Sequence, residues 1–387
     1  MSNSVASPRQ TASARPAGRA APLLSVCIPA YNRAAHLPEL LDSIAAQDYA
    51  EYEVVICEDR SPERDEIRAV VERHRAAAPG PIRYVENARN LGYDANFREL
   101  VRQARGEYCF IMGNDDVVAP GAFATVADAI RRSPDVGVVL RSFAHFRKRP
   151  EAFHTIARYY PDELLLPPGP DTVVQFYRRS VSMSGLVLRR DDALAVETER
   201  HDGTLFYQLY LVAEILLRRP GLIVPEVLAY YRSGNASEFG TNERERDRYT
   251  LGANYDPAES VRMLDAFLSI ARDVDASHGT DLYPRVRADT AGHAFHTFDS
   301  FGERPLGEYL RLYLGLVGLG FWRYPLFHAW GIGVRAVGAA HVRRLVHAVR
   351  RRIGYTPNFG ERPRGAVVLR SPALGERPHA AGHARAG

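Results

Sequence analysis

The sequence predicts an α/β fold: a mostly parallel sheet flanked by helices over residues 22–240, then a mainly helical region over 241–355. Three observations carry this. Short β-branched apolar runs alternate with stretches of helical spacing from Leu23 to Arg232, the pattern of βαβ units. Polar residues follow three of those runs, at the strand ends where parallel sheets bind ligands. Beyond Ser233 the alternation stops.

Leu23 to Ile28 is a buried-strand pattern that Pro29 ends, since proline cannot donate to the ladder. Leu37, Leu40, Leu41 and Ile44 then recur at helical spacing. Tyr52 to Cys57 is the second strand and runs into Glu58-Asp59. Pro62 and the acids after it suit a helix first turn, with Ile67, Val70 and Val71 as its apolar face. Ile82 to Val85 is a third short strand. A loop over 87–93 follows, in which Gly92 is free to take positive φ. Asp94 is expected to cap a helix over Ala95–Ala104 that buries Phe97, Leu100 and Val101.

Gly106 stops that helix, and Tyr108 to Met112 is too short for a free-standing helix, so it reads as a buried strand. It runs directly into Asn114-Asp115-Asp116. Pro120 opens a helix through Ile130, and Val136 to Leu140 is a further strand. From Ser142 to Pro170 the pattern loosens, and a variable loop region over an active site is expected. Ser184 to Arg190 is strand-like, Asp191 begins a short helix, and Leu205 to Leu217 is a long apolar helix ended by Pro220-Gly221. Leu222–Pro225 and Val227–Arg232 read as a pair of short edge strands.

After a charged segment at 242–248, Pro257–Val274 and Tyr283–Phe301 are helical in pattern. Leu306 to Val349 mixes Leu, Gly, aromatic and Arg residues and is too apolar for a solvated helix. Two readings stand: helices lying on a bilayer with arginines snorkelling and Trp322, Tyr324 and Trp330 at the interface, or a buried helical hairpin. No uncharged run is long enough to span a membrane. Residues 1–21 read as a disordered leader without a signal-peptide core, and 356–387 as a disordered basic tail.

The net charge of +4 is unevenly spread. Residues 1–21 carry +3 and residues 341–387 carry +8, which leaves 22–340 at −7. Basic ends point to an anionic membrane surface or nucleic acid, or simply to solvated tails; no nucleic-acid partner is assigned. Cys27, Cys57 and Cys109 each fall inside a strand, odd in number and widely spaced. They read as small core residues in a reducing cytosol, so a cytoplasmic location is expected, peripheral at the inner membrane face if the helical segment is interfacial.

Two adjacent carboxylates at a buried strand end repel unless a cation or solvent relieves them. A hard divalent ion, Mn²⁺ or Mg²⁺, is one relief; a polar turn capping the next helix is the plainer reading. Tyr31-Asn32, Glu58-Asp59 and Asn114-Asp115-Asp116 share one sheet edge, which makes a nucleotide crevice. No G-x-G-x-x-G or G-x-x-x-x-G-K-[ST] run makes it a dinucleotide or P-loop site.

Leu24-Ser25-Val26-Cys27-Ile28-Pro29-Ala30-Tyr31-Asn32-Arg33, Val54-Val55-Ile56-Cys57-Glu58-Asp59-Arg60-Ser61, Asn90-Leu91-Gly92, Ala104-Arg105-Gly106-Glu107-Tyr108 and Asn114-Asp115-Asp116 stand in register over residues 24–116. This series resembles the family 2 glycosyltransferases of GT-A fold. Gly92-Tyr93-Asp94-Ala95-Asn96-Phe97 resembles the abequosyltransferase-like branch of bacterial surface-polysaccharide enzymes. The resemblance weakens after residue 140 and does not reach 240–387.

The resemblance implies that Pro29, Ala30 and Tyr31 line the nucleoside, that Asp59 contacts the base, and that Asn96 lies near the nucleotide. It makes Asp115 and Asp116 the end of a DXD-like motif, Asp115 near the ribose or sugar and Asp116 the metal ligand. Gly113 stands where the motif's first Asp is usual. Asp202 falls in the loop ahead of an apolar helix where such enzymes hold the base that takes the acceptor proton; a helix cap is the bland alternative. Asp191 and Asp192 are the second choices, and His201 a neighbour. Arg232 matches a segment that closes over nucleotide or acceptor, where it can pair with phosphate or only with a surface acid.

The function so implied is an inverting, metal-dependent transfer of a sugar from a nucleoside-diphosphate sugar to a hydroxyl of a glycan or lipid-linked acceptor in bacterial surface-polysaccharide synthesis. A nucleotidyltransferase, or a binding module without catalysis, is the alternative.

Overall fold

The structure is a computed structural model that describes residues 22–76, 78–235 and 256–370. The expected leader over 1–21, the charged segment at 242–248 and the last residues from 371 lie outside the described residues.

The strands and helices of the first half are β1 (Leu24–Ala30), α1 (Leu37–Ala45), β2 (Tyr52–Glu58), α2 (Arg64–Arg75), β3 (Ile82–Glu86), α3 (Tyr93–Gln103), β4 (Tyr108–Ile111), β5 (Val117–Val118), α4 (Ala122–Arg132) and β6 (Val138–Phe146). There follow β7 (Thr155–Ala157), β8 (Glu163–Leu166), α5 (Pro170–Tyr177), β9 (Val187–Arg189), α6 (Arg190–Ala195), α7 (Tyr207–Leu216) and β10 (Gly221–Arg232). The rest is α8 (Pro257–His278), α9 (Leu282–Gly292), α10 (Phe295–Phe301), α11 (Leu306–Gly318), α12 (Pro325–Val337), α13 (Ala339–Ile353) and β11 (Val367–Arg370).

The sheet order is β11-β8-β10-β6-β9-β4-β1-β2-β3, with β5 beside β10 and β7 beside β6. The nucleotide half is parallel as expected: β1 pairs β2 from Leu24↔Tyr52 to Ala30↔Glu58, and pairs β4 from Leu24↔Tyr108. That register brings the carboxyl ends of β1 and β2 level, while β4 ends at Ile111 opposite Cys27 and hands over to the Gly113–Asp116 turn at the same end of the sheet. The other half corrects the expectation of a mostly parallel sheet. β9 runs antiparallel between β4 and β6, and β5, β7, β8 and β11 are antiparallel to their partners, so the sheet is mixed.

Strand alternation divides the core between the two faces. Val26, Ile28, Val54, Ile56 and Phe110 pack with α1, α2 and α4, while Cys27, Val55, Cys57, Cys109 and Ile111 pack with α3 and α7 on the other face. The second cluster continues through Phe267, Phe298, Leu312 and Phe327, so the helical region shares its core with the sheet. The three cysteines are free and buried, as their apolar settings require.

Four local expectations are corrected. The stretch 142–170 is the end of β6 plus β7 and β8, because its scattered aromatics pair across strands, as in Phe143 against Tyr231. The expected edge pair 222–232 is the single interior strand β10, which crosses Pro225 at a register shift where the ladder loses a donor. Asp94 does not cap its own helix. It lies inside α3 and accepts Leu205 N–H and Tyr207 N–H, both at 2.9 Å, holding the start of α7. Residues 356–370, expected as disordered tail, are described, and Val367–Arg370 pairs with β8. Among the described residues no helix is long and apolar enough to cross a membrane.

Candidate active site at the strand ends

The side expected to take the nucleoside is built from the level ends of β1 and β2. Pro29 and Ala30 oppose Cys57 and Glu58, and Asp59 N–H donates to the Ala30 carbonyl at 2.9 Å, which sets Tyr31 and Asp59 side by side in the backbone. Asp59 is buried. Its Oδ1 accepts Asn87 Nδ2 and Leu91 N–H, both at 2.8 Å, and Oδ2 accepts Gly92 N–H at 2.9 Å. Gly92, at φ 82°, supplies the conformation that turns its N–H inward. Burial pushes the Asp59 carboxyl up to about 6, against the pull of those three donors. Asn96 completes this wall: Nδ2 donates to the Cys57 carbonyl at 3.1 Å and Oδ1 accepts from Asn87 at 2.9 Å. Asn87, unmarked in the sequence except as a loop polar residue, is thus the link between two expected nucleotide residues.

The acidic side lies beyond β4. Asp115 and Asp116 are both buried. Asp115 Oδ2 accepts from Arg33 Nη1 at 2.5 Å and from Asn235 Nδ2 at 2.8 Å. Asp116 Oδ2 accepts the Ser184 hydroxyl at 2.5 Å, and its Oδ1 accepts Arg232 N–H at 2.8 Å. Burial, then the neighbouring Asp115, raises the Asp116 carboxyl well above the usual range. Arg232 spans the site: Nε donates to the Asp115 carbonyl at 2.8 Å and Nη2 binds Glu39 on α1. It also lies over the Phe146 ring.

Gly113 explains itself here. A Cβ at 113 would lie 3.1 Å from Asp116 Oδ2, 3.3 Å from Ser184 Oγ and 3.5 Å from Asp115 Oδ1. The position is tight against Asp116 and Ser184, so a side chain there requires the Asp116 carboxylate to shift by a few tenths of an ångström. Among the described residues no cluster of three or more His, Cys, Asp or Glu side chains could hold a metal ion. Two carboxylates fit the mode in which Mg²⁺ or Mn²⁺ binds through one or two acids and completes its shell with substrate phosphates and water. Asp115 and Asp116 are the residues that would hold it.

One buried group escaped sequence reasoning. Arg141, in the middle of β6, is 1 % exposed and faces no carboxylate in an ion pair. Nε donates to the Ser184 carbonyl at 2.7 Å and Nη2 to the Ser182 carbonyl at 2.6 Å, while Nη1 has no partner among the described residues. It holds the loop that presents Ser184 to Asp116. Its sequence signal was an arginine placed directly after the apolar run Val136–Leu140.

The expected base is held by an arginine. Asp202, in the loop before α7, accepts two hydrogen bonds from the Arg98 guanidinium on α3, the longer at 3.0 Å. Arg98 is itself buried. Asp191 pairs with Arg190 and Asp192 with Arg219, so the second choices are held in ion pairs of α6. His201 is buried against the Tyr210 ring, 4.5 Å between centroids.

A mixed sheet with buried carboxylates at its strand ends is a fold with relatives. The model of glycosyl transferase family 2 matches residues 25–191. The uncharacterized protein MT1568 of Mycobacterium tuberculosis is 30 % identical over 234 residues, 57 % of this chain and 70 % of that protein. The chain belongs to glycosyltransferase family 2. The abequosyltransferase RfbV of Salmonella typhimurium is 36 % identical over 114 residues, 30 % of this chain and 34 % of its own, so the match spans about a third of that relative. A structure of Staphylococcus aureus TarS residues 1–349 with UDP-GlcNAc superimposes with a TM-score of 0.55 at 16 % identity, covering 86 % of this chain and 92 % of that one. That likeness shows the GT-A fold of this family 2 chain.

Proposed function

We propose that this family 2 chain is an inverting glycosyltransferase that moves a sugar from a nucleoside-diphosphate sugar to a hydroxyl of a glycan or lipid-linked acceptor in bacterial surface-polysaccharide synthesis, at the cytoplasmic side of the membrane. One observation carries it: the buried pair Asp115-Asp116 and the buried Asp59 share one sheet edge, separated by the width of β1. That edge pairs a base-reading carboxylate with a diphosphate-facing one.

In this reading Asp59 accepts a hydrogen bond from the base, and Pro29, Ala30 and Tyr31 flank the nucleoside. Asp115 and Asp116 would hold Mn²⁺ or Mg²⁺, which when bound neutralises charge on the departing diphosphate. Arg232 and Arg33, already in contact with the acidic pair, supply further positive charge at that end. Asp202 takes the proton of the acceptor hydroxyl, its carboxylate oriented by Arg98. The RfbV relationship favours a deoxyhexose or hexose as the transferred sugar.

The test is a thermal-shift screen of the protein with UDP, GDP, CDP and dTDP, each with and without Mn²⁺, followed by hydrolysis of the matching sugar donor. A diphosphate-selective, Mn²⁺-dependent stabilisation that Asp116→Ala removes supports the reading. Stabilisation without donor turnover would make the chain a binding module, and release of pyrophosphate from a nucleoside triphosphate in the presence of a sugar 1-phosphate would make it a nucleotidyltransferase.

A further inference from the structure

The expectation for Leu306–Val349 divided between an interfacial and a buried segment. Most of it is half-buried: Tyr309, Leu312, Leu316, Phe327 and Val334 face the core. Helix α13 is different. It docks through Ala339 and Val342 at its first turn, and from Arg343 onward no residue is buried.

Val346 still packs partly against the core cluster, and the rest of this length is strongly two-sided. Val342, Leu345, Val346, Val349 and Ile353 recur at helical spacing on one stripe. Leu345 is 65 % exposed, and Val349 and Ile353 are exposed as well. Arginine supplies the rest: Arg343, Arg344, Arg350, Arg351 and Arg352, with no acid in the helix. Arg343 is engaged by Asp299 and Arg350 by His296, whereas Arg344, Arg351 and Arg352 make no ion pair among the described residues. Favourable placement of cations near a helix carboxyl end accounts for the last three arginines. It does not account for an apolar stripe left open to water beside them.

We propose that α13 is an interfacial helix that lies on an anionic lipid bilayer, its Leu345-Val349-Ile353 stripe in the acyl boundary and its arginines among the headgroups. Charge selects this occupant. Residues 306–353 carry eight arginines against the single acid Glu308. A second copy packed stripe to stripe would bring two arginine tracts together. The chain's own end, 371–387, offers Leu374 as its one large aliphatic side chain and adds basic residues of the same sign. A nucleic acid would use the arginines and leave the stripe exposed. The inference does not depend on the transferase reading.

The test is sedimentation of the full chain with phosphatidylcholine vesicles and with vesicles containing phosphatidylglycerol, at low and high salt. Binding to the anionic vesicles, weakened by salt, is expected. Leu345→Glu with Val349→Glu, and separately Arg344→Glu with Arg351→Glu and Arg352→Glu, should each lower partitioning, the triple change by at least on the order of a hundredfold. Melting temperature and any nucleotide-induced shift should stay as in the parent chain, because these side chains are exposed and outside the active site. No binding by the parent chain, equal binding to neutral vesicles, or full binding by both variants overturns the proposal. So does a dimer in solution that the Leu345→Glu and Val349→Glu change dissolves.

Discussion

The Arg33 guanidinium sits 2.5 Å from Asp115 Oδ2, so β1 delivers a cation onto the acid that β4 delivers. It gets there because Asn32 and Arg33 both take positive φ, 52° and 65°, directly after the strand. Non-glycine residues in that region cost of order 1 kcal/mol or more each, and such strain clusters at functional sites. The guanidinium and a divalent cation compete for the same carboxylate. Arg33→Ala should therefore tighten Mn²⁺ binding to the nucleotide-free protein, on the order of tenfold, as read by titration calorimetry, and should weaken binding of the diphosphate in the absence of metal. Unchanged affinity for both would remove Arg33 from the site.

Restoring the usual motif should do harm. Gly113→Asp would push a Cβ against Asp116 Oδ2 and add a third carboxylate beside Asp116, whose carboxyl burial and then the neighbouring Asp115 already raise. Donor turnover should fall, and Gly113→Ala should fall with it by a smaller factor. A gain in turnover from Gly113→Asp would mean that the acidic pair is short of a ligand.

Asp202→Asn keeps the shape and one acceptor for Arg98 but removes the basic oxygen. If it is the base, turnover should drop on the order of 10²-fold or more while donor affinity is kept. Loss of donor binding, or near-normal turnover, would return Asp202 to a purely structural partner of Arg98.

The Asp59 carboxyl, raised by burial to about 6, predicts a pH dependence of nucleotide binding. Folding raises its affinity for a proton above that of the unfolded chain. Ionisation therefore costs stability, and stability attributable to this group falls as pH climbs from the ordinary value of 3.8 through 6. Binding has the opposite sign: the ionised form accepts the base N–H, so nucleoside-diphosphate affinity should rise through pH 6. Asp59→Asn should flatten that profile. An unchanged slope in the variant would assign the titration elsewhere.

Asp289 ties the helical region to the turn that follows α5. Burial pushes its carboxyl up, but Arg178, Arg179 and His293 outweigh it and hold it near 2. Arg178 Nε donates to Oδ2 at 2.7 Å from the turn after α5. The depressed value stabilises the fold above the unfolded carboxylate range and is lost as pH falls toward 2. Asp289→Asn should cost about 3 kcal/mol in denaturant unfolding, since it leaves buried arginine charge uncompensated. A change under about 1 kcal/mol would show that water compensates the pair instead.

Much of the nucleotide half was legible in the chain. Val54–Cys57 or Tyr108–Met112 can only be short buried strands by length and composition, and strands that alternate with helices must align their carboxyl ends. Tyr31, Asp59, Asp115 and Asp116 followed from that alignment, and the family from the resemblance of the motifs that hold them. Long-range pairing was not legible. The strand β10 sits beside β6, and Asp94 holds a helix more than a hundred residues away, because its acceptors meet Leu205 and Tyr207 only in the fold. Arg141 looked like the end of an apolar run until burial made it a charge without a counter-ion. Gly113 looked like a missing acid until the fold set it in tight contact with the Asp116 carboxylate and the Ser184 hydroxyl. Sequence by itself determined which side chains arrive at the strand ends, because period and length are local. Which of them touch, and which charges must be shared, was decided by tertiary structure alone, because desolvation and contact exist only between segments brought together.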